Sequence, residues 1–391
     1  MSTLDVSLGP VRVGVLEQYE DEHYVFGFDP DWLADPDRPL LGQFFEDRRP
    51  RDIELWGPPC WFANLLPQGP LRRALARDTG VDEGDVFDLL RAVGEDLPGA
   101  VVLRPGTSPL RRPPPVAVSG PLRYGMAGLA GAQWKLSVRP GERGLVLPVV
   151  GQTGSWIAKF HDPTLRDLPR IEFATAQWAV ASGIDMPAIR LGRVEEIVEL
   201  PPGIPTGDGS VYLIERFDRG PGERRIHMED MAQVLDKPPG THQFSGSHEV
   251  IAAVLAAITP DDLPEYCRRV VFCVLAGNTD AHLKNWSILY PDGRQPRLSP
   301  AYDLVASVLF TPMLEDCLAL SVGGARRFEE IGVDAFRKLA AVCGRSFGEV
   351  ASWVRDAAIR VRGAWDRHAA DWPFTPDERQ RLAAHLRRVP L

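Results

Sequence analysis

The stretch Gly277-Asn278-Thr279-Asp280-Ala281-His282-Leu283-Lys284-Asn285 decides how the rest of the chain is read. An apolar run, Val270-Val271-Phe272-Cys273-Val274-Leu275-Ala276, precedes it, and a shorter one, Trp286-Ser287-Ile288-Leu289-Tyr290, follows. The first belongs to a helix expected over Leu263–Ala276, the second to a short strand. A polar surface turn is the common fate of residues between two such elements. A D-x-H-x-x-N pattern straight after Gly-Asn, held between two apolar elements, is much rarer and marks a site.

Phosphoryl transfer needs a carboxylate that orients the attacking hydroxyl and accepts its proton, with an oxygen ligand for a divalent cation close by. In the catalytic loop of protein kinases these two residues are five positions apart. Asp280 and Asn285 have that spacing. His282 lies between them, as in lipid-kinase loops, and Asp280, His282 and Lys284 form the expected catalytic group. Leu298-Ser299-Pro300-Ala301-Tyr302-Asp303-Leu304 begins 13 residues after Asn285, beyond a hairpin turn at Pro291–Gly293. It returns a second carboxylate, Asp303, to meet Asn285 across Mg²⁺, an ion held by few protein oxygens and by phosphates. Leu304 and Val305 follow it, not the Phe-Gly of the kinase DFG motif.

Upstream pieces complete a site for ATP. Lys159 lies in the strand-like segment Ser155-Trp156-Ile157-Ala158-Lys159-Phe160, and Glu172 opens the next helix. A strand lysine paired with a helix glutamate holds the α- and β-phosphates in kinases. The glycine-rich stretch Gly125–Lys135 lets backbone N–H groups approach phosphates. Its expected contacts are Gly131, Ala132, Gln133 and Lys135. No GK[ST] follows, so it is not a Walker A loop. Leu213-Ile214-Glu215-Arg216-Phe217-Asp218-Arg219 suits a hinge, with backbone near Glu215 and Phe217 for adenine and Asp218 for ribose.

Length and composition fit this frame. The 391 residues are 44% hydrophobic and 25% charged, ordinary for a globular protein of two domains or lobes. The net charge is −9. Residues 1–120 hold 12 Lys+Arg against 20 Asp+Glu, or −8, which leaves 32 against 33 for the rest. The acidity is local, and a general nucleic-acid-binding face is not expected. Five cysteines, odd in number and without a CxxC pair, read as reduced thiols of a cytoplasmic protein. The N-terminus lacks the marks of a signal peptide, and Val250–Ile258 is too short to span a bilayer, so no membrane association is expected. Only 5 lysines stand against 39 arginines, which singles out Lys135, Lys159 and Lys284.

The proline-rich segment 105–121 reads as a stiff linker. It separates a small N-terminal α/β subdomain (1–104) from a strand-rich nucleotide-binding lobe (122–219) and a helical catalytic lobe (220–391). Strands with one helix, then a helical bundle, give an α+β, two-lobed, protein-kinase-like fold whose C-terminal lobe is all helical. One long helix is expected over Trp61–Thr79, and another over Asp85–Val93.

In this order the pieces resemble the HipA family, the kinase toxins of bacterial toxin–antitoxin pairs. The resemblance is carried by Leu129–Lys135 (LAGAQWK), WIAKF, the helix glutamate, ERFDR, GNTDAHLKN and LSPAYD. FANLLPQGPLRRALA, FDLL and AVGEDLPGAVVL match the small N-terminal domain of that family. It implies ATP, Mg²⁺ and transfer to serine or threonine of a protein, with an aminoacyl-tRNA synthetase or other translation protein as target. It also implies a HipB-like, DNA-binding antitoxin as partner. The family's loop serine, three positions before the Gly of AGAQ, is here Gly128. A small-molecule phosphotransferase would share the Asp…Asn loop but lack the N-terminal domain. A non-catalytic binding module would not be expected to keep Asp280, Asn285, Asp303 and Lys159 together.

Overall fold

A computed structural model describes residues 1–20, 22–47, 53–106, 133–148, 153–310 and 316–391. Most of the linker expected over 105–121 lies outside them, as do Gly128, Gly131 and Ala132.

The N-terminal region builds a five-stranded antiparallel sheet from β1 (Ser2–Leu8), β2 (Val11–Gln18), β3 (His23–Phe28), β4 (Ile53–Trp56) and β5 (Val101–Pro105), in the order β4-β3-β2-β1-β5. Leu4, Val6 and Leu8 alternate along β1 and are buried, the period of a strand with one covered face. The short helices α1 (Pro30–Ala34) and α2 (Gln43–Asp47) lie between β3 and β4. After β4 come α3 (Cys60–Ala63), α4 (Gly69–Thr79) and α5 (Val86–Val93), which pack Trp61, Phe62, Leu89 and Leu90 onto the sheet. The single helix expected over Trp61–Thr79 is therefore two. Pro67 removes a backbone donor and Pro70 starts a new helix, so the chain turns at Asn64–Gln68.

The second sheet comprises β6 (Lys135–Gly141), β7 (Gly144–Val146), β8 (Trp156–Lys159), β9 (Ile189–Arg193) and β10 (Ser210–Glu215), ordered β7-β6-β8-β10-β9 with antiparallel neighbours. The helix α6 (Leu168–Ala181) packs on it. In register, Lys159 stands opposite both Lys135 on β6 and Tyr212 on β10. The core under this sheet contains Leu136, Val138, Phe160 and Leu213, and also Leu71 from α4. The N-terminal domain thus lends a side chain to the neighbouring core.

The C-terminal lobe is built on α9 (Leu263–Ala276), whose residues Val270–Ala276 have no solvent exposure. Around it lie α7 (Met231–Val234), α8 (His248–Ile258), α10 (Arg337–Val342), α11 (Phe347–His368) and α12 (Pro376–Arg388). The lobe is not all helical. A three-stranded antiparallel sheet, β11 (His227–Asp230), β12 (Ser287–Tyr290) and β13 (Arg297–Leu298), carries the loop of interest into place. Short apolar strands such as these bury both ends of a hairpin but give too few residues for a clear period. α9 stops at Gly277, whose φ of +70° is left-handed and whose N–H caps the Cys273 carbonyl. A Cβ there would lie 2.4 Å from Val308, so only glycine lets the chain leave the helix at this point.

Candidate active site

The loop after Gly277 is fixed by its own polar groups. Asp280 N–H donates to Asn278 Oδ1 at 3.0 Å, and Thr279 N–H donates to Ser307 Oγ at 2.6 Å. The Asn285 side-chain amide donates to the Asp280 carbonyl at 2.9 Å, which joins the two ends of the D-x-H-x-x-N pattern. That bond uses the amide nitrogen and leaves the amide oxygen for a cation. Asp280 is exposed to solvent at the cleft, while packed neighbours and the nearby Asp303 charge push its carboxyl pKa upward. Solvent on its open side limits that push.

Asp303 arrives after β13 with φ +54°, a left-handed backbone rare for a non-glycine residue and typical of functional sites. Lys159 Nζ donates to both Asp303 Oδ1 and Glu172 Oε1. Lys159 and Glu172 side chains are 3% exposed, but Asp303 is 29% exposed. The cluster is closed on the protein side and open at Asp303. Burial works against the Lys159 charge, yet the two carboxylates outweigh it and raise its pKa. Burial also opposes ionisation of Asp303, but Lys159 and Lys135 hold it down to about 2. Glu172 is pushed upward by burial and by Asp303, against the pull of Lys159. With one ammonium between two carboxylates, Asp303 is the more firmly ionised. Burial lowers Lys135 to about 8.

These residues meet in one cavity of about 360 Å³, lined also by Gln133, Ile214, Phe217 and Phe310. The structure thus brings together Asp280, His282, Asn285, Asp303, Lys159, Glu172, Lys135 and Gln133. Asn285 and Asp303 fit a divalent cation: an ionised carboxylate with an open edge beside an amide oxygen, completed by phosphates. Among the described residues no group of three or more His, Cys, Asp or Glu could hold a metal by itself.

Two residues of the expected site carry partners that sequence did not show. Lys284 is buried and donates to the Asn64 carbonyl at 2.9 Å, to Asn64 Oδ1 at 3.1 Å and to Asp230 Oδ2 at 2.6 Å. An ammonium with three acceptors is an anchor, not a free catalytic group. Asp218 lines the cavity, but both carboxylate oxygens are engaged. Oδ1 accepts from Arg216 at 2.9 Å; Oδ2 accepts from Arg216 at 2.7 Å, from Arg219 at 2.8 Å and from Gly99 N–H at 2.9 Å. It clamps the N-terminal domain through Gly99. Gly99 is left-handed, and a Cβ on it would lie 2.7 Å from Met228 N, so the clamp needs glycine. The Glu215 N–H donates to the Ala188 carbonyl at 2.9 Å, which leaves its carbonyl for a base; the Phe217 ring lies 5.6 Å from that of Tyr302.

His282 is buried beside Phe244, with ring centroids 4.9 Å apart, and burial lowers its pKa to about 4, so it is neutral. Sequence reasoning missed Asn64, Gln68 and Pro98 of the N-terminal domain, which wall the cavity. It also missed Tyr302, whose hydroxyl donates to the Lys284 carbonyl at 2.7 Å. Tyr302 lay in the quoted Ser299–Asp303 segment, but nothing in its spacing pointed to the loop. Among the described residues no helix is long and apolar enough to cross a membrane.

Comparison with known proteins bears on the family and the fold. Residues 4–104 match the HipA N-terminal domain, and residues 127–365 match the HipA-like C-terminal domain. A Sinorhizobium fredii protein named "Putative kinase Y4dM" is 34% identical over 405 residues, covering 100% of this chain and 98% of that protein. The Shewanella oneidensis serine/threonine-protein kinase toxin HipA is 26% identical over 365 residues, covering 82% of this chain and 78% of that protein. A solved Shewanella oneidensis complex of HipA, HipB and operator DNA contains a chain with the same fold. Its TM-score is 0.74 at 21% identity, over 99% of this chain and 96% of that one. Two domain matches that together span nearly the whole sequence, and a full-length relative above 30% identity, place this chain in the HipA family.

Proposed function

We propose that this chain is an ATP- and Mg²⁺-dependent protein serine/threonine kinase that acts as a toxin-like regulator of growth. The observation that carries the reading is Lys159 bridging Glu172 and Asp303 in the same cavity as Asp280 and Asn285. Lys159 and Lys135 place positive charge where phosphates are held. Asn285 and Asp303 offer oxygens to Mg²⁺, which supplies charge neutralisation at the transferred phosphoryl group. Asp280, at the open side, orients a substrate hydroxyl and takes its proton; its upward pKa shift makes it a better acceptor than an ordinary aspartate. The apolar wall of Ile214, Phe217 and Phe310 suits adenine. The family resemblance implies a protein of translation, such as an aminoacyl-tRNA synthetase, as the substrate, and the HipA–HipB–DNA complex of a structural relative supports a HipB-like antitoxin as the partner. The protein works in the cytoplasm.

The test is incubation with γ-labelled ATP, Mg²⁺ and a host lysate, with and without EDTA. One or a few labelled proteins, lost with EDTA and with Asp280→Asn, are expected. Label on small molecules alone, or none in any fraction, overturns the proposal.

A further inference from the structure

The N-terminal domain reaches the catalytic loop through Asn64. Asn64 caps α3, and both its carbonyl and its Oδ1 accept from Lys284 Nζ, at 2.9 and 3.1 Å. Its own amide nitrogen donates to the Cys60 carbonyl at 2.9 Å and to the Lys237 carbonyl at 2.8 Å, just beyond α7. Asn64 is 1% exposed and Lys284 is 5% exposed. The third acceptor on Lys284, Asp230, is the N-cap of α7 in a reciprocal box with Gln233, and Gln233 in turn donates to the Trp61 carbonyl at 3.2 Å. Lys284 is thus a buried ammonium with two of its three acceptors supplied from another domain. The next residue is Asn285. Tyr302, one residue before Asp303, donates to the Lys284 carbonyl. Whatever fixes Lys284 therefore fixes both residues assigned to the cation.

We propose that Asn64 is a positioning residue for phosphoryl transfer, acting through Lys284, and that the N-terminal domain is part of the transfer machinery. This rests on the kinase reading given above. A buried ammonium tolerates the loss of an acceptor poorly, because its desolvation is then uncompensated. With Asn64 withdrawn, the loop relaxes around Lys284 and the Asn285–Asp303 pair loses its alignment. Loss of alignment at reacting atoms lowers turnover more than ground-state binding.

The test is a double-mutant cycle in the full-length protein with Asn64→Ala, Lys284→Met and both, following ATP turnover at saturating Mg²⁺. Asn64→Ala should lower kcat about 10- to 100-fold, the range of a charge-assisted hydrogen bond, with KM for ATP within about twofold. The double variant should be no slower than Lys284→Met alone. Hydrogen exchange gives a second readout that does not need activity. In Asn64→Ala the amides of 282–286 should exchange faster, while those of α9 and α11 keep wild-type protection. An inactive wild type with this exchange pattern would sink the kinase reading and keep the positioning role. Losses that multiply in the double variant, or exchange that accelerates across the whole lobe, would show Asn64 to be only structural. Unchanged kcat and unchanged exchange in folded Asn64→Ala would overturn the proposal.

Discussion

Two buried charge clusters reach the same cavity, and only one is open. In Arg216–Asp218–Arg219 with Asp96, Asp218 accepts four hydrogen bonds and its side chain is 7% exposed. In Lys159–Glu172–Asp303, Asp303 accepts from Lys159 on Oδ1 and is 29% exposed, on a left-handed backbone. Both aspartates are held below the usual carboxylate range. Burial opposes each, and neighbouring cations win: Arg216 and Arg219 for Asp218, Lys159 and Lys135 for Asp303. A depressed pKa alone therefore does not separate a clamp from a ligand. What separates them is whether the carboxylate has oxygen left to give.

The sharpest way to break this contrast is at the open cluster and its loop. Asp280→Asn should leave the fold intact and lower transfer by roughly 10²–10⁴-fold, read by label transfer from γ-labelled ATP. Asp303→Ala should weaken ATP binding more with Mg²⁺ than without, in paired titrations. Equal weakening would make Asp303 a structural residue like Asp218. At the closed cluster the cost should appear as stability. Asp218→Asn leaves two buried guanidinium groups short of a counter-charge and should cost about 3–5 kcal/mol in urea unfolding. The folded fraction should still bind ATP with near wild-type affinity, and a ribose role for Asp218 would show as a loss of that affinity without destabilisation.

Acid sharpens the comparison further. Burial lowers His227, His248 and His282 to about 4, 3 and 4, so the native state keeps them neutral. An unfolded histidine titrates near 6.5, so their contribution is present above that pH and is lost as pH falls toward 4. Glu229 runs the other way. Burial raises it to about 7, and its contribution is present below about 4.5 and lost as pH rises through 7. Near pH 5 to 6 the unfolded chain binds three extra protons at these histidines, while the native state holds extra ones at Glu229 and, less fully because it is exposed, at Asp280, so stability should rise by about 1–2 kcal/mol per pH unit. Glu229→Gln should steepen that slope in unfolding curves at pH 5 and 6. The smallest effect belongs to a pair open on all sides. Arg360→Ala removes the exposed i,i+4 contact to Asp356 at 2.7 Å and should cost no more than about 0.3–0.5 kcal/mol.

The parts of the site that sequence made legible are those with a fixed local spacing. Asp280 and Asn285 are tied by a bond within their own loop, and Asp303 follows one short hairpin later. The strands bearing Lys159 and Lys135, the helix bearing Glu172 and the buried helix α9 all carry their apolar pattern locally. Lys284 finds its acceptors on Asn64 and Asp230, far away in sequence, whereas Asp218 is engaged mostly by its neighbours Arg216 and Arg219, with Gly99 of the N-terminal domain as the one distant partner. Near a motif, a polar residue looks functional, and only tertiary contact shows whether its hydrogen bonds are already taken. The sheet of the C-terminal lobe escaped for a related reason. Its strands β11 and β12 pair across the whole of α7, α8 and α9.

The contact between Asn64 and Lys284 spans 220 residues, and that distance orders events during synthesis. The N-terminal sheet closes when β5 pairs with β1, so it can form once about residue 105 has left the ribosome. Its Leu71 and its Asn64 acceptors then face water until their partners emerge. At translation rates of about 5–20 residues per second, Lys284 follows Asn64 by roughly 10–40 s. From about residue 105 until Lys284 emerges, the cell holds a folded domain with an unfilled side and no catalytic loop to dock on it. A chain built this way completes the support of its catalytic loop only late in its own synthesis.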